Sequence, residues 1–245
     1  METNRRIGTG AQAEVFLSGD SAIKLFKPGY DKASVFYEAT VTALIEQTGL
    51  PIAKVREVRE MDGRLALRLE YIAGESLNGR IAEDPGHASD YLKQMVELQL
   101  AVFSRTAALP FSRKQTLKER IENNSHIAEA DRESLLRRLT TLPEGHQLCH
   151  GDFHGYNIIL QGDKPYIIDW IDAASGCPEA DVCRTYMLYS FYRPDLAQAY
   201  LQLYCAVTGK SQSAVLDWLP VVAAARLAEG NSGEEETIRG WMQKT

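Results

Sequence analysis

Cys149-His150-Gly151-Asp152-Phe153-His154-Gly155-Tyr156-Asn157 is followed by the apolar run 158–160 (IIL), the turn Gln161-Gly162-Asp163-Lys164-Pro165, a second run 166–168 (YII), and then Asp169-Trp170. No other stretch of the 245 residues is as informative. The two runs around a turn predict a hairpin, with a polar Gly-rich loop in front of it and an aspartate at its far end. Asp152, Asn157 and Asp169 contribute two carboxylates and an amide. A carboxylate can orient a hydroxyl and accept its proton, and carboxylate and amide oxygens suit a hard cation such as Mg²⁺. Any one of these residues in a Gly-rich loop would be explained by turn formation. The four polar residues His150, Asp152, His154 and Asn157 followed by a hairpin and Asp169 are not.

Upstream of this stretch the chain begins in β-type runs. Residues 14–17 (EVFL), 22–26 (AIKLF), 55–60 and 64–72 are broken by Ser18-Gly19-Asp20, Pro28-Gly29 and the hairpin signal Asp62-Gly63. Between them Val35, Phe36, Ala39, Leu44 and Ile45 recur at helical spacing over 35–47, and Gly49-Leu50-Pro51 stops the helix. From residue 88 helical patterns dominate, over 88–108, 115–128, 131–142, 181–192, 195–208, 212–229 and 234–243. The pattern predicts an α+β protein: a small antiparallel sheet with one helix in residues 1–73, and a larger, mainly helical part in 74–245 that includes the hairpin. The junction is Ala73-Gly74-Glu75-Ser76.

Composition narrows the function. Lys plus Arg number 27 against 33 Asp plus Glu, a net charge of −6, which disfavours a nucleic-acid binder that must neutralise phosphates. No apolar segment follows Met1-Glu2-Thr3-Asn4-Arg5-Arg6 and none is long enough to span a bilayer, so the chain is read as cytoplasmic, with no membrane partner. Cys149, Cys177, Cys183 and Cys205 lack zinc-site or C-x-x-C spacing and are read as reduced thiols, without a disulfide.

A second constellation lies near the start. Ile7-Gly8-Thr9-Gly10-Ala11-Gln12-Ala13-Glu14-Val15 reads G-x-G-x-x-A-x-V, where Gly8 and Gly10 would let backbone N–H groups approach nucleotide phosphates. A dinucleotide-binding fingerprint would need a strand before it and a helix after it, whereas the strand-like EVFL follows. Lys24 stands in the next strand and Glu38 in the following helix, the order in which a kinase lobe places its phosphate-holding lysine and the glutamate that fixes it. Asn157 stands five residues after Asp152, the offset of the aspartate and asparagine in a kinase catalytic loop, and Asp169 ends the next strand where the Mg²⁺-binding aspartate belongs.

On these residues the sequence resembles the aminoglycoside phosphotransferase and choline kinase group of small-molecule kinases, with a bilobal protein-kinase-like fold. The likeness runs through IGTGAQAEVF, AIKLF, LEYIAGESL, HGDFHGYN, IDW and PEADV. It implies Asp152 as catalytic base, Asn157 and Asp169 as Mg²⁺ ligands, Glu70 to Ile72 as the hinge whose backbone binds the purine, and Asp181 as a brace of the catalytic loop. Several features depart from protein kinases: His154 where lysine is usual, Trp170 in place of phenylalanine, and only nine residues from Asp169 to Pro178, too few for a peptide-positioning segment. Ala13 replaces the third glycine.

The resemblance implies Mg²⁺-dependent transfer from ATP or GTP to a hydroxyl of a small molecule. An aminoglycoside comes first, with the antibiotic resistance that would bring. Choline, ethanolamine, a sugar or another alcohol is the alternative, and a catalytically idle nucleotide-binding module is the alternative of another class. A cationic acceptor directs attention to Glu229, Glu234, Glu235 and Glu236, although acids opening a helix also complement its dipole. A quaternary ammonium directs it to Trp170, Tyr186, Tyr189, Tyr192 and Trp218, although aromatics at helical spacing also build cores. The sequence leaves the oligomeric state open.

Overall fold

The computed structural model describes residues 5–231 and 233–243. The chain divides into two compact units: Met1–Leu77 with Tyr156–Ile171, and Asn78–Gly155 with Asp172–Thr245.

In the first unit, β1 (Arg5–Thr9), β2 (Ala13–Ser18), β3 (Ser21–Phe26), β4 (Val55–Met61) and β5 (Arg64–Glu70) form one antiparallel sheet in the order β1-β2-β3-β5-β4. β1 was not anticipated. Arg-Arg-Ile-Gly-Thr has no apolar alternation because it is a mostly exposed edge strand, and its pairing slips between Arg6 and Gly8. α1 (Lys32–Glu46) starts at Asp31, whose carboxylate accepts the Ser34 N–H at 2.8 Å. It packs through Val35 onto Phe26, Ala13 and Leu67 of the sheet. β5 ends at Glu70, two residues before the predicted strand end, because the Tyr71 N–H turns to the Asp20 carbonyl.

The hairpin β7 (Ile158–Gln161) and β8 (Lys164–Ile167) forms as predicted, but it belongs with this first unit. Two long-range pairings explain this. The short strand β6 (Glu75–Ser76) pairs with β7, and the Ile167 N–H donates to the Pro51 carbonyl at 2.8 Å. Neither tie is local in sequence.

The second unit is helical: α2 (Leu77–Glu83, beginning at the division), α3 (Ala88–Phe103), α4 (Arg113–Glu122), α5 (Glu129–Thr141), α6 (Pro178–Tyr192), α7 (Pro194–Thr208), α8 (Gln212–Leu216), α9 (Leu219–Leu227) and α10 (Glu235–Met242). Its centre is α9, buried almost all round through alanines and valines that let α4, α5, α6 and α10 approach closely. Three predicted helices are shorter than expected, each for a local reason. The span 88–108 stops at Phe103 because the Arg105 carbonyl accepts the Leu148 N–H of the short strand Gln147–Cys149, which pairs with Ala174–Gly176. The span 115–128 becomes α4, and beyond its end the Asn124 side chain caps the His126 N–H in a turn. The span 212–229 splits because Pro220 cannot donate to the Leu216 carbonyl, where α8 ends. Among the described residues no helix is long and apolar enough to cross a membrane.

Candidate active site

Lys24 shares a face of β3 with Phe26, since alternate strand residues point the same way, and Phe26 packs against α1. On α1, Glu38 falls in the buried stripe of Val35, Thr42 and Ile45 and is 2% exposed. A carboxylate in an apolar stripe requires a partner, and Glu38 Oε1 accepts from Lys24 Nζ at 2.7 Å. The ammonium also reaches Asp169 Oδ1 at 3.2 Å. Burial opposes the charge on Lys24, but the carboxylates of Asp169 and Glu38 outweigh it and raise its pKa.

Asp169 reaches this position through the hairpin register. Ile158 pairs with Ile167, and one rung further the Ile168 N–H donates to the Asn157 carbonyl at 3.0 Å. Asn157 and Asp169 therefore stand at the same open end of the hairpin. Asp169 has φ +64°, in the left-handed region that non-glycine residues seldom occupy, and its carboxylate is 41% exposed. Three separate stretches of chain thus bring Lys24, Glu38 and Asp169 together inside one unit.

Gly8 lies in β1 and Gly10 in the turn before β2, where the Gly10 N–H donates to the Ala13 carbonyl at 2.8 Å. A Cβ at Gly8 would meet Val15 at 3.6 Å, and one at Gly10 only the Ala13 carbonyl at 3.7 Å, both ordinary contacts. The protein's own packing therefore does not demand these glycines. They leave the loop backbone open to approach from outside, as a phosphate cradle requires. Glu70 ends β5, its N–H donating to the Lys54 carbonyl at 2.8 Å, and Ile72 is buried just beyond.

The loop carrying Asp152 belongs to the second unit, and α6 holds it residue by residue. Asp181, 1% exposed, accepts from the Gly151 N–H at 2.6 Å and the His150 N–H at 3.3 Å. Arg184 donates to Asp152 Oδ1 at 3.0 Å, Thr185 to the Phe153 carbonyl at 2.6 Å, and the Tyr189 hydroxyl accepts from the Gly155 N–H at 3.0 Å. Positions 181, 184, 185 and 189 form a single helical face, and they take loop residues in order from 150 to 155. Gly151 has φ +87°, and a Cβ there would collide with the Asp172 carbonyl and Arg113. His154 Nε2 lies 3.3 Å from Asp152 Oδ2. Burial works against the Asp152 charge, but the His154 hydrogen bond and the Arg184 charge outweigh it and hold the carboxyl far below the usual range.

Arg184 was missed in the sequence. The one available signal was its place a turn after Asp181 on a helix whose flanks are apolar. It also pairs with Glu229, Nη1 to Oε1 at 2.9 Å. The aromatic set proposed for an ammonium is largely spent elsewhere: Trp170, Tyr189 and Trp218 are buried, and only Tyr192 is strongly exposed.

Asn157 and Asp169 provide hard oxygen donors. Among the described residues no three His, Cys, Asp or Glu side chains gather into a metal cage. That donor set fits Mg²⁺, which is commonly held by one or two carboxylates together with substrate phosphates and water.

The model of the phosphotransferase enzyme family matches residues 3–216. No curated protein matches the sequence. Among solved structures, a thermostable mutant of an aminoglycoside phosphotransferase in ternary complex with ADP and hygromycin B superposes with a TM-score of 0.70 at 14% identity, covering 98% of this chain and 90% of that one. A choline/ethanolamine kinase family protein from Mesorhizobium loti gives 0.65 at 17% identity, over 98% and 88%. An amicoumacin kinase in complex with AMP-PNP and Ca²⁺ gives 0.69 at 13% identity, over 98% and 86%. At these identities the likeness establishes the kinase-like fold. The family model spans most of the sequence, and the chain belongs to the phosphotransferase enzyme family.

Proposed function

We propose that this protein transfers the γ-phosphoryl group of ATP or GTP to a hydroxyl of a small molecule. The observation that carries the reading is the Lys24–Glu38–Asp169 cluster, a cation held at 2.7 and 3.2 Å by two carboxylates from distant parts of the sequence. Glu38 orients Lys24, and Lys24 holds the α- and β-phosphates, with Gly8 and Gly10 giving the loop backbone access to them and the backbone of Glu70 to Ile72 receiving the purine. Asn157 and Asp169 hold Mg²⁺, which when bound neutralises charge developing on the phosphates.

Asp152 accepts the proton of the acceptor hydroxyl as its oxygen bonds to the γ-phosphorus and the bond from that phosphorus to the leaving nucleoside diphosphate breaks. Its depressed pKa makes it a weak base that orients the hydroxyl and takes the proton late, which suits a loose phosphoryl-transfer transition state. An aminoglycoside is the first acceptor to test, with choline, ethanolamine and simple sugars as the other classes.

The test is Mg²⁺-dependent release of ADP or GDP by the purified protein across that panel. Acceptor-dependent release by the wild type, lost in Asp152→Asn with nucleotide binding retained, is the expected result. Unchanged turnover in Asp152→Asn removes Asp152 as base. Nucleotide binding with no turnover on any acceptor favours the idle module.

A further inference from the structure

Of the carboxylates that the sequence offers to a cationic acceptor, Glu229, Glu234 and Glu235 are already engaged, and Glu236 stands exposed in the first turn of α10. Glu229 lies one guanidinium away from Asp152, because Arg184 Nη2 contacts Asp152 Oδ1 at 3.0 Å and Glu229 Oε2 at 3.3 Å. Glu229 also receives Arg120 Nη1 at 3.3 Å and a close contact from Arg226. Glu234 is 3% exposed, and its two oxygens take Arg226 at 2.7 and 2.8 Å and the Tyr192 hydroxyl at 2.8 Å. Asp172 is paired with Arg120, and Glu235 with Arg239 at 2.7 Å.

Across this network Asp152, Asp172, Glu229 and Glu234 face Arg120, Arg184 and Arg226. The excess is one negative charge, that of the carboxylate which the acceptor hydroxyl itself must meet. A polycation binds by displacing water and counterions from an excess of carboxylates. Here each ammonium would have to displace a guanidinium held by two or three hydrogen bonds, and would leave that guanidinium without its partner.

We infer that the acceptor is a small alcohol carrying at most one positive charge, and that the arginines around Glu229 exclude polycationic aminoglycosides. The inference rests on the reading of Asp152 as the residue that meets the acceptor hydroxyl. Two features of the network support it. Arg184, 7% exposed, is shared between Asp152 and Glu229, so Glu229 cannot be given to a substrate without disturbing the base. Glu234 is out of reach of any substrate in its present conformation.

The experiment is calorimetric titration of neomycin and of kanamycin into the full chain with MgAMP-PNP, for the wild type and for Arg226→Gln, which releases one contact on Glu229 and both guanidinium contacts on Glu234. Absence of saturable aminoglycoside binding to the wild type, with a gain of about tenfold or more in Arg226→Gln, is the expected result. Saturable one-to-one binding of either compound to the wild type, or its phosphorylation, overturns the inference. So does a folded Arg226→Gln that gains nothing, because the masking would then not be the cause. If Arg226→Gln fails to fold, the more exposed Arg120→Gln replaces it under the same criteria. Failure of the wild type to bind MgAMP-PNP would instead count against the phosphotransferase reading, since the aminoglycoside titration is read without turnover.

Discussion

Lys24 sits between Glu38 and Asp169 on the one unit, and Asp152 sits between Arg184 and His154 on the other. Lys24 is kept ionised against burial by two carboxylates, and Asp152 by the Arg184 guanidinium together with the His154 hydrogen bond, which is how a protein stores an oriented ion away from bulk water. Removing one member leaves the rest uncompensated. Lys24→Met is expected to lower turnover by about 10²-fold or more, since a phosphate-directed cation acts mainly on the transition state. It also strands Glu38, which is 2% exposed, so a loss of about 3 kcal/mol in stability accompanies it. Steady-state kinetics and urea unfolding of the same variant separate the two effects: full activity would remove Lys24 from the phosphate-binding role, and unchanged stability would mean that Glu38 finds another partner.

At the scale of elements, α6 does more than pack. Its face of Asp181, Arg184, Thr185 and Tyr189 satisfies backbone and side-chain groups of the loop 150–155, which has little regular structure of its own. Because the Asp181 carboxylate accepts two backbone N–H groups of the loop while the Thr185 hydroxyl makes one bond to it, the two should differ in cost. Asp181→Ala is expected to destabilise by about 3–5 kcal/mol and Thr185→Val by about 1–2 kcal/mol. Urea denaturation checks the order, and an equal or reversed ranking would show that the loop does not depend on α6 in this way. Replacing Gly151 would act on the same element by forcing a Cβ into the Asp172 carbonyl at φ +87°.

For the whole molecule, three buried thiols shape the response to alkali. Burial raises Cys149 and Cys183, and burial with the nearby Glu179 pushes Cys177 up to about 12. In the unfolded chain these thiols ionise near pH 8.5. A group whose folded pKa is raised contributes stability that is complete below the unfolded pKa and is lost as pH rises above it. Each thiol should therefore remove about 1.4 kcal/mol per pH unit above about pH 8.5. Unfolding free energies measured from pH 7 to 10 should fall accordingly, and Cys183→Ala should flatten the slope by one thiol's share. An unaltered slope in that variant would mean that Cys183 is ionised equally in both states. Asp152 acts at the other limb. Its pKa is depressed, so its contribution is present above about pH 4 and lost as the solution is acidified below that.

Much of this protein could be read along the chain because its signals are local. The β2, β3, β4, β5 and α1 runs, the hairpin 158–167 and most of the helices follow from periodicity and from turn residues that act within a few positions. The order of Gly8, Lys24, Glu38, Asp152, Asn157 and Asp169 was likewise visible, since motif spacing is a property of the sequence. Three matters were decided only by the folded chain. The hairpin joins the first unit through β6 and Pro51, pairings between residues far apart in sequence. Arg184 and Thr185 hold the loop because a helix formed some thirty residues later lies against it. Glu229 and Glu234, acidic when counted along the chain, are neutralised by arginines from α4, α6 and α9. Charge in a sequence is additive, but the field at a site depends on distance and on which partner is desolvated beside it, and only the tertiary structure sets those.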